Sequence, residues 1–157
     1  MNEPESPLLP PATPAVRRLR IIVVAVVLVV AAALLAGVLL HRRSVDRVRM
    51  IRAQIEQGIA TADGMRVAVA MYRVRNGGAW PYNNTQAGLL SLSAVNGQYV
   101  DNARIEDGRI VITLGGEINR EVSGKHIVLT PYLDNSLVRW HCGSSDIAAD
   151  LLPESCQ

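Results

Sequence analysis

The sequence predicts an α+β protein in which one long N-terminal helix packs on a four-stranded antiparallel sheet. Three observations lead to this fold class. The block from Ile21 to Leu40 is 20 residues long and contains no charged or polar side chain. The next stretch, up to about Asn76, repeats apolar residues at steps of three and four. The remainder changes to a period of two, with turn residues between short apolar runs.

The block Ile21–Leu40 is long enough to cross a bilayer. At about 1.5 Å per residue a helix of this length covers about 30 Å, the thickness of the hydrocarbon core. Its apolar run exceeds the core of a typical cleaved signal peptide, about 7–15 residues, and basic residues follow it directly. We therefore predict a retained transmembrane anchor over residues 17–43. Residues 1–16 hold five of the eight prolines and are predicted to form a disordered tail.

The net charge differs between the two parts of the chain. Residues 1–52 carry eight arginines and three acids, a net charge of +5, whereas residues 53–157 carry eight basic and eleven acidic side chains, a net charge of −3. A basic segment next to an apolar span is typical of a membrane flank. The downstream part lacks the basic, aromatic-studded face of a nucleic-acid-binding domain. We expect a membrane as a partner and no nucleic acid.

Two signals disagree about the side of the membrane on which the C-terminal domain lies. Three arginines precede the span and five follow it, so the positive-inside rule alone puts the domain in the cytoplasm. The two cysteines, Cys142 and Cys156, lie near the end of a small domain. That pattern favours a single disulfide in an oxidising compartment.

The segment from His41 to about Asn76 is predicted to continue as an amphipathic helix. No proline interrupts it, so one continuous helix is the simplest expectation. Asn76-Gly77-Gly78 is typical of a helix end, and Pro81 in the following "WPYNN" prevents further helix. The apolar stripe consists of Val48, Ile51, Ile55, Ile59, Ala62, Met65, Val69 and Tyr72.

The strands are predicted from the change of period. Residues 79–102 are expected to form a loop. Asp107-Gly108 is typical of a hairpin turn between the first two strands, and Asp134-Asn135-Ser136 joins the last two. The four predicted strands are "ARI" at 103–105, "RIVITL" at 109–114, "KHIVLTPYL" at 125–133 and "LVRWHC" at 137–142.

The sequence contains no Gly-rich phosphate loop, nucleophile elbow or paired histidines on a helix, so we predict neither an enzyme nor a cofactor. Zinc is one alternative, because His126, His141, Cys142 and Cys156 supply four nitrogen and sulfur donors. However, the adjacent side chains of His141 and Cys142 diverge on a strand. A Cys142–Cys156 disulfide is therefore the favoured interpretation, with no metal.

Two weaker patterns remain open. Asn83-Asn84-Thr85 matches a glycosylation sequon, a triplet that is common by chance. Asp146, Asp150 and Glu154 lie between the cysteines. They are interpreted as solvated acids, with a contact to a cation or another ligand as the alternative.

The segment "IRAQIEQGIATADGMRVAVAMYRVRNGGAWP" resembles the helix of type IV pilins. The blocks "AGLL", "GQYV", "IEDGRIVITL", "GKHIVLTP", "VRWHC" and "LLPESC" then follow in the order of the pilin head, over roughly residues 50–157. The resemblance implies a pilin-like fold in which Cys142–Cys156 closes a surface loop used in contacts. It also implies a single-pass protein of the bacterial inner membrane, with residues 44–157 in the periplasm against the arginine count. Its partners would be other pilin-like subunits or pilus assembly proteins.

The N-terminal part departs from the pilin pattern. Pilin precursors carry a Gly followed by Phe-Thr-Leu-Ile-Glu, where prepilin peptidase cuts. Alignment on Arg52-Ala53-Gln54 puts that site near Ile22–Val23, where no Gly stands, and puts Val27 where the acid is expected. The sequence therefore predicts an uncleaved, membrane-anchored pilin-like protein associated with a type IV pilus or related secretion machinery. The alternatives are an atypical pilin built into filaments for adhesion or motility, and a periplasmic sensor or ligand-binding module on a pilin-like scaffold.

Overall fold

A computed structural model describes residues 14–89 and 97–157. The chain divides into two units, one ending at Ser44 and the other comprising Val45–Gln157. The elements are α1 (Pro14–Ala60), α2 (Asp63–Arg75), β1 (Val100–Glu106), β2 (Arg109–Leu114), β3 (His126–Asp134) and β4 (Leu137–Gly143), followed by short 3₁₀ turns at Ala149–Leu151 and Glu154–Cys156.

The described part of the first unit is the N-terminal part of α1. Every side chain from Arg17 to Ser44 is exposed. By length and composition this helix is able to cross a membrane, since its most apolar 18-residue stretch has a mean hydropathy of 3.2 and none of it is buried. The anchor at residues 17–43 stays a prediction. Most of the predicted tail at residues 1–16 lies outside the described residues, and residues 14–16 already belong to α1, where Pro14 suits a first helical position.

The predicted apolar stripe is buried in the second unit. Its central members each have at most 8% of their surface exposed, and they are Ile51, Ile55, Ile59, Ala62, Met65 and Val69. The helix has one interruption that the sequence did not predict, because α1 ends at Ala60 and α2 begins at Asp63. At this turn the Thr61 hydroxyl donates to the Gln57 carbonyl at 3.1 Å, a local bond that competes with the helical pattern.

The "WPYNN" stretch packs against the β1–β2 hairpin. The Trp80 ring lies 4.2 Å from the Arg73 guanidinium carbon, and Pro81 is fully buried. The Pro81 carbonyl accepts a hydrogen bond from the Gly108 N–H at 2.8 Å. Gly108 has a φ of +81°, and a Cβ there would stand 2.9 Å from the Trp80 Cβ. The turn therefore requires glycine at this position.

The sheet is antiparallel and has the order β1-β2-β3-β4. Both predicted hairpin turns are present, with φ of 48° at Asp107 and 47° at Asn135. The prediction of a loop over residues 79–102 is wrong at its C-terminal end, because β1 starts at Val100. Val100 pairs with Leu114 and is 2% exposed. Residues 90–96 of that loop lie outside the described residues.

One hydrophobic core joins the helix stripe, the inner face of the sheet and the C-terminal segment. The strands contribute alternate residues, as the period of two predicts. The C-terminal segment adds four residues to the same core, which fixes that segment on the body of the domain. The strand residues include Ile110, Ile112, Leu114, Ile127 and Leu129, and the C-terminal residues are Ile147, Leu151, Leu152 and Cys156.

Candidate interaction site: the C-terminal disulfide loop

The disulfide loop, residues 142–156, is closed by the bond between Cys142 on β4 and Cys156 in the last 3₁₀ turn. Their Cα atoms are 4.4 Å apart. The predicted disulfide is therefore present, and it occupies both sulfurs that the zinc alternative required. Among residues 14–89 and 97–157, no group of three or more His, Cys, Asp or Glu side chains could hold a metal ion.

The inner side of the disulfide loop is apolar. Ile147, Leu151 and Leu152 are 6%, 3% and 5% exposed, and burial of each such side chain stabilises a fold by about 1.5–3 kcal/mol. The outer side carries exposed polar residues, among them Ser145, Asp150 and Glu154. The loop is therefore a structured surface rather than a loose connection.

A polar cluster of Asp146, His126 and Ser144, the Asp146 cluster, fastens the loop to the start of β3. The Asp146 carboxylate accepts from the His126 backbone N–H at 3.1 Å and lies 2.9 Å from His126 Nδ1. The Ser144 hydroxyl lies 2.9 Å from Asp146 Oδ1 and 2.7 Å from the His126 carbonyl. The contacts to His126 tie the loop to β3, and the contact between Ser144 and Asp146 lies within the loop.

These contacts change the acidity of Asp146. Burial of the carboxylate acts to raise its pKa. The hydrogen bonds from the His126 ring and backbone, together with the Ser144 hydroxyl and the His126 charge, outweigh burial and hold the pKa of Asp146 below its ordinary value of 3.8. The ionised form of Asp146 is therefore the form that the cluster binds.

A second connection fastens the loop to α1. Arg52 donates from Nε and from Nη2 to the Asp150 carbonyl, at 3.1 Å and 2.9 Å. Both hydrogen bonds go to one carbonyl oxygen, and their donor lies on α1. The loop is thus held by a strand, by a helix and by the disulfide.

The other predicted site residues have structural contacts. The His141 ring stacks on Tyr132 with centroids 4.2 Å apart. In the sequon, Asn83 Oδ1 accepts from the Gln86 N–H at 3.0 Å. Asn84 Oδ1 accepts from the Ile105 N–H at 2.7 Å. The two asparagines therefore shape the turn after α2 and attach it to β1.

Sequence reasoning missed the Asp146 cluster and the Arg52 connection. His126 and Asp146 are 20 residues apart, and Arg52 and Asp150 are 98 apart, so no local spacing relates them. From the sequence, His126 is only a candidate zinc donor, and Asp146 is only a solvated acid or a ligand-binding group. A tertiary fold is needed to bring these residues together.

The Asp146 cluster contains Ser, His and Asp side chains but does not have the geometry of a nucleophilic triad. In a triad the serine hydroxyl bonds to the histidine ring. Here the Ser144 hydroxyl bonds to the Asp146 carboxylate and to a backbone carbonyl. The arrangement therefore positions a loop and does not activate a nucleophile.

A long helix on a four-stranded antiparallel sheet, with a disulfide-closed C-terminal loop, defines the class of α+β pilin-type domains. The family model for Pilin, a bacterial filament protein, matches residues 51–157. The chain belongs to the pilin family.

Individual relatives match a shorter part of the chain. It is 37% identical over 93 residues to the type IV major pilin protein PilE of Neisseria gonorrhoeae, covering 59% of this chain and 55% of that protein. It is 36% identical over 93 residues to a fimbrial protein of Neisseria meningitidis serogroup A, covering 59% of this chain and 54% of that protein. The chain thus spans about half the length of these curated relatives.

Proposed function

We propose that this protein is a non-enzymatic, membrane-anchored pilin-like subunit that acts by protein–protein contact in or beside a type IV pilus or related secretion machinery. The match of the pilin family model to residues 51–157 carries this proposal. Residues 17–43 form the anchor in the bacterial inner membrane, with Ile21–Leu40 as the span. Residues 44–157 form the periplasmic domain, a placement that the disulfide supports because such bonds persist in oxidising compartments.

The disulfide loop is the proposed contact surface. Its apolar side is buried in the core, so its polar side keeps a fixed shape without a partner. A rigid surface loses less conformational entropy on binding than a flexible one. The partners are other pilin-like subunits or pilus assembly proteins.

The second candidate function is that of an atypical pilin subunit built into the filament itself. The relatives favour this candidate, since they are major pilin and fimbrial proteins. The absence of a Gly near Ile22–Val23 favours the anchored form. An unprocessed chain would bring the basic Arg17-Arg18-Leu19-Arg20 segment into a filament core, where unpaired charge is costly.

Processing distinguishes the two candidates. The protein is co-expressed with a prepilin peptidase, and its intact mass is measured. The anchored form is expected to keep its mass. Cleavage at the site that the alignment with pilin precursors implies would remove about 22 residues, and that loss would contradict the anchored form. Pili sheared from the cells are then tested for the protein, and its absence from them counts against the filament subunit.

A further inference from the structure

Five arginines follow the apolar block: Arg47 and Arg52 contact other residues of the domain, and Arg42, Arg43 and Arg49 are exposed. Arg47 pairs with Glu121, with Nη2 3.4 Å from Oε2, and Arg52 donates to the Asp150 carbonyl. Arg42 and Arg43 are exposed. Within the unit that ends at Ser44, neither guanidinium has a hydrogen bond or an ion pair with a residue whose side chain the structure describes. Within that unit their charge is therefore not compensated, and the next acid along α1 is Asp46.

The sequence around Arg42 and Arg43 adds to the excess of positive charge at this end of the apolar block. No Asp or Glu occurs from residue 6 to residue 45. Arg42 and Arg43 follow Leu40, the last residue of the apolar block, by two and three positions. At the rise of an α-helix these positions lie about 3–4.5 Å beyond the block along the axis. The nearby Ser44 hydroxyl donates to the His41 carbonyl at 2.7 Å, so its proton is already used within the helix.

A guanidinium is a matched donor for a phosphate. Its planar fork donates two parallel hydrogen bonds to phosphate oxygens, and it stays charged at every physiological pH. At the end of a membrane span, the phosphates within reach are those of the lipid head groups. Each basic side chain near an anionic lipid surface strengthens attachment by about fivefold.

We infer that Arg42 and Arg43 form a binding site for the head group of an anionic phospholipid, such as phosphatidylglycerol, at the C-terminal end of the anchor. The inference rests on the membrane insertion in the proposed function and adds a lipid preference to it. Arg47 contributes little to this preference, because Glu121 already compensates its charge.

The test uses the full chain reconstituted in phosphatidylcholine vesicles with a trace of spin-labelled lipid. Electron paramagnetic resonance measures the motionally restricted fraction of spin-labelled phosphatidylglycerol and, separately, of spin-labelled phosphatidylcholine. Their ratio gives the relative association constant, expected to favour phosphatidylglycerol by at least about fivefold, the contribution of one basic side chain. The double variant Arg42→Gln/Arg43→Gln is expected to lower this relative association constant at least about twofold. Part of the preference should persist, because three arginines before the block and Arg49 after it remain. The matched control Arg47→Gln should leave it unchanged.

The outcomes separate this inference from the function on which it rests. If the wild-type chain restricts both lipids equally, the lipid preference is overturned while membrane insertion stands. An unchanged preference in the double variant, or an equal loss in Arg47→Gln, overturns the assignment to Arg42 and Arg43. If the chain restricts neither lipid, the anchor itself is overturned and the inference with it.

Discussion

Asp146 fastens the disulfide loop to the start of β3. Its carboxylate receives hydrogen bonds from His126 and Ser144, and these bonds hold its pKa below the ordinary value of 3.8. A lowered pKa in the folded state means that the ionised form stabilises the fold. That stabilisation is fully present above the ordinary pKa and is lost as the pH falls through the folded pKa.

The pH dependence of unfolding tests this role. Asp146→Asn is expected to lower the free energy of unfolding at neutral pH, and the difference from wild type should shrink as the pH falls below 3.8. Fluorescence in urea reports the unfolding of the domain, because both tryptophans, Trp80 and Trp140, belong to it.

Asp150→Asn is the matched control in the same loop, since only the backbone carbonyl of Asp150 is bound by Arg52. Its effect should be within about 0.5 kcal/mol, as for ordinary surface substitutions. A constant difference between Asp146→Asn and wild type from pH 7 to pH 2 would show that the carboxylate charge is not what the cluster binds.

At the scale of elements, the structure joins the disulfide loop to three others. Arg52 connects it to α1, the Asp146 cluster connects it to β3, and Cys142 connects it to β4. The strands and the buried helix stripe were predictable, because each follows from a local period. The hydrogen-bonded connections of the disulfide loop were not predictable, because the residues that form each connection are far apart in the chain and are of types common on surfaces.

The Arg52 connection predicts a local effect. Arg52→Met removes both hydrogen bonds to the Asp150 carbonyl and is expected to destabilise the domain by about 0.5–1.5 kcal/mol. Hydrogen exchange of the amides in residues 149–152 should accelerate, since the loop loses its attachment to the helix. Arg49→Met, an exposed position on the same helix, should change neither quantity. Equal exchange in the two variants would contradict the role of Arg52.

The disulfide predicts a larger effect on stability. The cysteines are 14 positions apart, and a loop of that size contributes about 3 kcal/mol in the chain-entropy model. The double variant Cys142→Ser/Cys156→Ser should lose about that much in urea unfolding. It should still fold, because Ile147, Leu151 and Leu152 keep the loop in the core. A loss below about 0.5 kcal/mol would mean that the non-covalent contacts already fix the loop.

At the scale of the whole molecule, the chain combines a pilin-family domain with an apolar helix whose flanks are basic. The family and the fold class were predictable because whole blocks of sequence recur in order from Ile51 to Cys156. The interruption at Thr61 and the early start of β1 were not, because a turn of this kind and a strand end depend on tertiary pairing. The two parts together lead to the central claim, that the domain contacts pilus components from a membrane-bound position.

Photo-crosslinking in living cells that make type IV pili tests that claim most directly. A photoreactive amino acid is introduced at Glu154, which is exposed on the disulfide loop, and at Arg109, which is exposed on β2, as the control. After irradiation, adducts are identified by mass spectrometry of the membrane and sheared-pilus fractions. The account predicts an adduct between the Glu154 variant and a pilin or pilus assembly protein in the membrane fraction, and much less from Arg109. If the Glu154 variant forms no adduct in cells where the pilus proteins are present, the claim that the domain contacts pilus components is contradicted.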